Sequence, residues 1–227
     1  MFGFSFNNQT TSEWKYDDLE TPQNIGDYKK LIENTFKKGN DWLNDNTNWQ
    51  FIKEDRGIVL EELPIANSSI GAIKTTANIK GIELKKLVEV VFDLPLEEKK
   101  KLMSDILAYN TIKEITDDIA VCHSQYATPF GISNREFVFV KALRQLNDNK
   151  YMMMVQSINY EDKPFTQGYV RGVSVCCNYI EKLDDGSVKF VTIDHVDPRG
   201  MIPAFVINAF KDKAIEKVIK IQEVYAL

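Results

Sequence analysis

From Thr111 to Val196 the chain carries six strand-like segments in direct succession: "TIKEITDD", "IAVCHSQYA", "REFVFVKALRQL", "KYMMMVQSINY", "YVRGVSVCCNYIEKL" and "SVKFVTIDHV". They are rich in β-branched and aromatic residues, and turn signals such as Asn147-Asp148-Asn149 and Asp184-Asp185-Gly186 separate them. Strands that follow one another so closely pair antiparallel, because parallel pairing needs a long crossover. Three similar runs lie further upstream, "NWQFIKEDRG", "IVLEELPIA" and "IGAIKTTANI", each bounded by Gly, Pro or Asn-Ser. An antiparallel sheet of about nine strands curls under its own twist. Its concave face is large and something must cover it.

The helical segments are few. Ile25, Tyr28, Leu31, Ile32 and Phe36 fall at helical spacing and predict a helix from Ile25 to Trp42. "IELKKLVEVVFDL" predicts another, with Ile82, Leu84, Leu87, Val88, Val91 and Phe92 on its apolar side. Pro95 ends it and opens a short helix over "LEEKKKLMSDIL". The last element is a long helix with the stripe Ile202, Phe205, Val206, Ala209, Phe210, Ala214, Val218 and Ile221. Helix, three strands, two helices, six strands and helix is an α+β order. The final helix is the long apolar element left to lie across the sheet. Its stripe fits either a core contact or the roof of a cavity. Residues 1–23 are polar and lack a clear period, so a tail is expected there, with Trp14 and Tyr16 available to pack back, followed by one domain over 24–227.

Net charge narrows the function. At −5 over 227 residues the chain is a poor match for a nucleic-acid backbone. Cys122, Cys176 and Cys177 are odd in number and form no disulfide framework, which fits the cytoplasm. The start "MFGFSFNNQT" has neither a basic region nor an apolar run of the signal-peptide kind. Without an apolar run of the ~18 residues that span a bilayer, any membrane contact is expected to be peripheral and transient. Cys176-Cys177 lacks zinc-ligand spacing, and no nucleophile motif accompanies His123 and His195. No metal, cofactor or catalytic residue is assigned.

Three segments carry a family resemblance. "PFGISNREFVFVK" (129–141) is similar to a Pro-rich loop followed by an Arg-Asp-aromatic-Val strand, with Glu136 where Asp is usual. "GYVRGVSVCCNYIEKL" (168–183) is similar to a Val-Arg-Gly strand, and "VDPRGMIPAFVIN" (196–208) to an Asp-Pro-Gly-Gly-x-Ile-Pro lead into a last helix. In this order they resemble the StAR-related lipid-transfer (START) domains. The resemblance implies a helix-grip fold: a curved antiparallel sheet gripped by the C-terminal helix around an internal cavity that holds one lipid-like molecule. The helix stripe, Val206, Phe210 and Val218 included, would then roof the cavity.

The same resemblance implies a site. Period two puts Arg135, Phe137, Phe139 and Lys141 on one face of their strand. The preceding strand offers Ala120, Cys122, Ser124 and Tyr126, or in the other register Val121, His123 and Gln125. Sterol-binding relatives carry a buried acid–arginine pair here. This chain has Lys141 at the arginine position and Cys122 or His123 near the acid position, which speaks against sterol selection. The phosphatidylcholine-binding branch resembles "PFGISNR", and its Arg and Asp correspond to Lys101 and Asp105, one helical turn apart. Its aromatic cage is reduced to Phe137 here, with Val175 at another cage position. Loop 128–134 would be a gate exposing Phe130 and Ile132 beside Lys211, Lys213, Lys217 and Lys220, placed to touch a membrane surface. A buried Lys141 without an acid at its pairing position points to a ligand with negative charge.

The expected function is binding of one lipid (phospholipid, sterol or fatty acid) and its transfer between membranes, without enzymatic chemistry. An enzyme on the same scaffold would need His123 or His195 in the cavity. A lipid-responsive adaptor reads the same in sequence.

Overall fold

The computed structural model describes residues 19–65, 68, 70–129, 131–200, 202 and 204–226, apart from the side chains of 204–206 and 208. Its elements run α1 (Ile25–Asn44), β1 (Gln50–Asp55), β2 (Ile58–Leu63), β3 (Ala72–Ile79), α2 (Leu84–Phe92), α3 (Leu96–Leu102), β4 (Ile106–Thr116), β5 (Ile119–Tyr126), β6 (Asn134–Asn147), β7 (Lys150–Ser157), β8 (Tyr169–Arg171), β9 (Val173–Lys182), β10 (Val188–Asp197) and α4 (Ala204–Tyr225). This is the α+β order expected from the sequence.

The strands form one sheet in the order β1-β2-β3-β10-β9-β7-β6-β5-β4. Every neighbouring pair along that path is antiparallel. The tenth strand, β8, pairs parallel with β6. Residues 168–183 therefore form two strands where one was expected. The break is at Gly172, where a Cβ would stand 2.4 Å from the Phe137 ring. The backbone passes so close to that ring that the chain leaves β6 there and joins β7 as β9.

A second difference lies at α3. The helix stops at Leu102, and Met103 is already extended (φ −136, ψ 96). Ile106 is buried at 2 % and opens β4, so burying Ile106 in the sheet prevails over the helix pattern of the lysine run. Of the tail expected over 1–23, Trp14 and Tyr16 lie outside the described residues. The Glu20 carbonyl accepts the Asn159 amide at 3.0 Å.

Helix α1 covers the outer face of the sheet. Asn24 and Asp27 form a reciprocal capping box at its start. Tyr28, Leu31, Ile32, Phe36 and Trp42 then pack on Val121, Val138, Val140, Met152, Met154 and Val175. The remaining helices lie on the concave face. Leu87, Val90, Leu94 and Leu102 form a second core with Ile180, Phe190, Ile215, Val218, Ile219 and Ile221. The C-terminal half of α4 is thus packed core.

Helix α1 lies tight on the sheet at Gly39, where a Cβ would meet the Met154 sulfur at 2.6 Å. Gly39→Val should therefore lower stability by about 1–3 kcal/mol through overpacking. Urea unfolding measures it, and an unchanged midpoint would show that α1 can lift off the sheet freely.

Candidate lipid-sized cavity

The N-terminal half of α4 does not close onto the sheet. A cavity of about 650 Å³ lies between them, a size typical of small-molecule sites. Its apolar wall comes from Val90, Val91 and Leu102 on the short helices, Phe137 and Phe139 on β6, Met153 and Val155 on β7, Val196 on β10, and Ile207, Ala209, Phe210 and Ala214 on α4. Period two explains the β6 contribution. Val138 and Val140 face α1, and the alternate residues Arg135, Phe137, Phe139 and Lys141 face the cavity.

Register settles which face β5 presents. Tyr126, Ser124, Cys122 and Ala120 stand opposite Arg135, Phe137, Phe139 and Lys141. Ser124 and Tyr126 reach the cavity. Cys122 shares their face but is fully buried in a cluster with Phe137, Phe139, Tyr109 and Tyr126. His123 has the opposite parity. It bonds Glu136 at 2.9 Å, away from the cavity lining. His195, also outside the lining, has its Nε2 3.1 Å from the Ile70 carbonyl. Val175, the expected cage position, packs under α1.

Arg135 is a clamp. Its guanidinium donates to the carbonyls of Pro198 (2.7 Å), Arg199 (2.9 Å) and Ser133. It thereby joins loop 128–134 to the turn that leads into α4. That turn carries positive φ at Arg199 (50°) and Gly200 (71°), and the Arg199 amide donates to Asp197 at 2.8 Å. In loop 128–134, expected to be a gate, the Thr128 hydroxyl donates to the Ile132 carbonyl at 2.6 Å. Ile132 is half-buried, and Phe130 lies outside the described residues. Of the expected roof, Phe210 is at the cavity and 36 % exposed, Val218 belongs to the packed core, and the Val206 side chain lies outside the described residues.

Lys141 has partners that the sequence did not reveal. Its ammonium donates to the Phe92 carbonyl at the end of α2 (2.9 Å) and lies 3.6 Å from Asp93. A cation at a helix C-terminus is favourably placed. Lys101 and Asp105 do not pair. Because α3 ends early, Lys101 points outward to Glu98, and Asp105 holds Lys213 at 2.5 Å. Lys211 pairs with Glu62 and Asp212 with Lys53, so three consecutive residues of α4 latch its N-terminal half to three different places.

The polar residue of the cavity that sequence reasoning missed is Lys99. It is 6 % exposed and lies over the Tyr109 ring at 4.3 Å. Burial, then Lys217 and Lys141, bring its ammonium down to about 8. Asn178 is 3 % exposed, lines the cavity, and its Oδ1 has no partner among the described residues. Burial and neighbouring Asp194 push the Cys176 thiol up, so it stays protonated. Among the described residues no group of His, Cys, Asp and Glu could hold a metal, and no helix is long and apolar enough to cross a membrane.

Comparison with known proteins identifies the family and the fold. The START domain matches residues 33–224, so the chain belongs to the START domain family. It is 24 % identical to the phosphatidylcholine transfer protein of Mus musculus over 70 % of this chain and 75 % of that one. It is 20 % identical to the human StAR-related lipid transfer protein 6 over 68 % of this chain and 70 % of that one. The structure of human StAR-related lipid transfer protein 5 has the same fold, with a TM-score of 0.79 at 20 % identity, over 87 % of this chain and 95 % of that one.

Two outcomes follow from the bonds around the cavity. Arg135→Met strands buried carbonyls and should cost about 2–3 kcal/mol. Amide exchange in 128–134 and 196–200 should accelerate, and unchanged exchange there would mean Arg135 holds nothing in place. On the outer face, burial raises the Glu136 carboxyl, but hydrogen bonds from Thr166, His123 and Arg171 outweigh it and hold it at about 2. The unfolded chain therefore binds more protons below the ordinary value of 4.5, and stability falls as pH drops from there towards 2. Acid titration of Glu136→Gln should show a shallower loss than the native chain over that window.

Proposed function

We propose that this chain binds one lipid molecule in the cavity beneath α4 and carries it between membranes. The observation that carries the reading is the cavity itself: about 650 Å³ that side chains do not fill, walled by apolar groups, in a START domain. Buried apolar area supplies the affinity at about 25 cal/mol per Å², so the chemistry needs no reacting group. Phe137, Phe139 and Phe210 contact the lipid tail. The relatives named for phosphatidylcholine transfer and lipid transfer support the same reading.

Loading requires the roof to open at a membrane surface. Ile132 of the gate loop, the exposed ring of Phe210 and the lysines of α4 meet that surface in this reading. Contact is transient, since exposed ion pairs such as Lys213–Asp105 are worth at most ~1 kcal/mol and exchange readily with lipid phosphates. All three cysteines are free, which fits work in the reducing cytoplasm.

Filling the cavity tests the proposal. Ala214→Trp places a ring in it and should cut uptake of fluorescent phosphatidylcholine or fatty acid from vesicles about tenfold, with a stability change below ~1 kcal/mol. Native mass spectrometry of the purified chain identifies the cargo. If Ala214→Trp carries lipid as the wild type does, the cavity is not the site.

A further inference from the structure

Lys99 opens a run of three lysines that reads as a solvated helix face. Its neighbours behave that way: Lys100 pairs with Glu97 at 2.7 Å and Lys101 with Glu98 at 2.5 Å, one turn back. Lys99 instead turns inward. Its ammonium makes no hydrogen bond to any described residue, and the Tyr109 ring is what it touches. Lys141 reaches the same ring from β6, at 5.8 Å. Lys217 faces the cavity from α4 and is felt at Lys99. Three ammonium groups from three separate elements thus converge on one end of an apolar chamber.

Their counter-charge is thin. Asp93 is the acid beside them, and its carboxyl is 79 % exposed. The other acids of the lining are engaged or turned away. Asp105 holds Lys213, Glu62 holds Lys211, Asp194 lies against Cys176, and Glu216 is exposed. Cations gathered out of water need a partner or must shed a proton. Lys141 has its helix-end carbonyl; Lys99 keeps all its donors open. An anion entering the cavity would take those donors and relieve the repulsion among the three, whereas a neutral ligand would do neither.

We propose that Lys99, with Lys141 and Lys217 behind it, forms an anion site inside the cavity, and that the cargo is an amphiphile whose terminal carboxylate or phosphate sits on the Lys99 ammonium while its apolar chain fills the cavity. This rests on the cavity being a lipid site, and the experiment separates the two ideas. Wild type and Lys99→Met are titrated calorimetrically with dodecanoate, dodecyl phosphate, dodecanol and sodium phosphate alone. Wild type should bind the two anionic amphiphiles roughly tenfold or more tightly than dodecanol, and the stronger of the two identifies the head group. Lys99→Met should bring the anionic and neutral ligands to within about twofold while dodecanol affinity stays unchanged. Lys99→Gln repeats the comparison should the Met variant fail to fold. Equal affinities in wild type, or a preference that survives both substitutions, overturns the anion site and leaves the lipid cavity standing. Binding of none of the three amphiphiles overturns both. Tight binding of phosphate alone overturns the amphiphile and makes this a small-anion site.

Discussion

The structure depends on a mismatch of areas: a curled sheet of ten strands presents more apolar inner surface than its helices can cover. Protein interiors are otherwise close-packed. Left dry and unfilled, a space of about 650 Å³ would cost on the order of 10 kcal/mol by the coefficient measured for core cavities. That is comparable to the whole net stability of a typical domain. Any molecule that binds there adds to stability by mass action. The outer face, by contrast, is finished by α1 alone, with its capping box and one apolar stripe.

Most buried polar groups around the cavity follow one rule, from which Lys99 and the Oδ1 of Asn178 depart. Arg135 satisfies carbonyls in the turn before α4, and Lys141 satisfies the last carbonyl of α2. Each long cationic side chain thus ties a strand to a loop or helix end and helps fix a wall. Ser174 joins Ser157 by both its amide and its hydroxyl. Lys99 ties nothing together. A group that contributes no internal bond and still sits out of water is either a defect or a receptor, and its position beside two other cations favours the second.

Much of the fold was legible because the two periods rarely conflict. Strict alternation along β6 separates Arg135, Phe137, Phe139 and Lys141 from Glu136, Val138 and Val140 without any tertiary knowledge. On β5 alternation alone left two registers open, and only the pairing of Cys122 with Phe139 decides against His123. The helical stripe of α4 was visible, but a period of 3.6 says which side is apolar and not what it meets. Hence Phe210 and Val218, two turns apart on one stripe, have different fates: the cavity mouth for one, the α2–α3 core for the other. Lys101–Asp105 failed because the pairing assumed a helix through Asp105, and burial of Ile106 ended it at Leu102. Lys99 had no local signal at all, since nothing in "EEKKKL" distinguishes its first lysine from the two that follow.

The unequal fate of that stripe also says how the roof can move. The C-terminal half of α4 is held by Ile215, Val218, Ile219 and Ile221, whose burial against α2, α3 and the sheet amounts to several kcal/mol at about 1.5–3 kcal/mol per large side chain. The N-terminal half is held by three ion pairs at residues 211–213 and, one turn ahead of the helix, by the bonds from Arg135. Lys53–Asp212 and Lys213–Asp105 are exposed and contribute at most ~1 kcal/mol each, weakening in salt, while Lys211–Glu62 is half-buried. Local stability thus falls steeply from one end of the helix to the other, and segments at the low end open without global unfolding. A helix anchored in this way does not leave the sheet as a rigid rod. Its beginning is the less firmly held part, while its end is packed in the core.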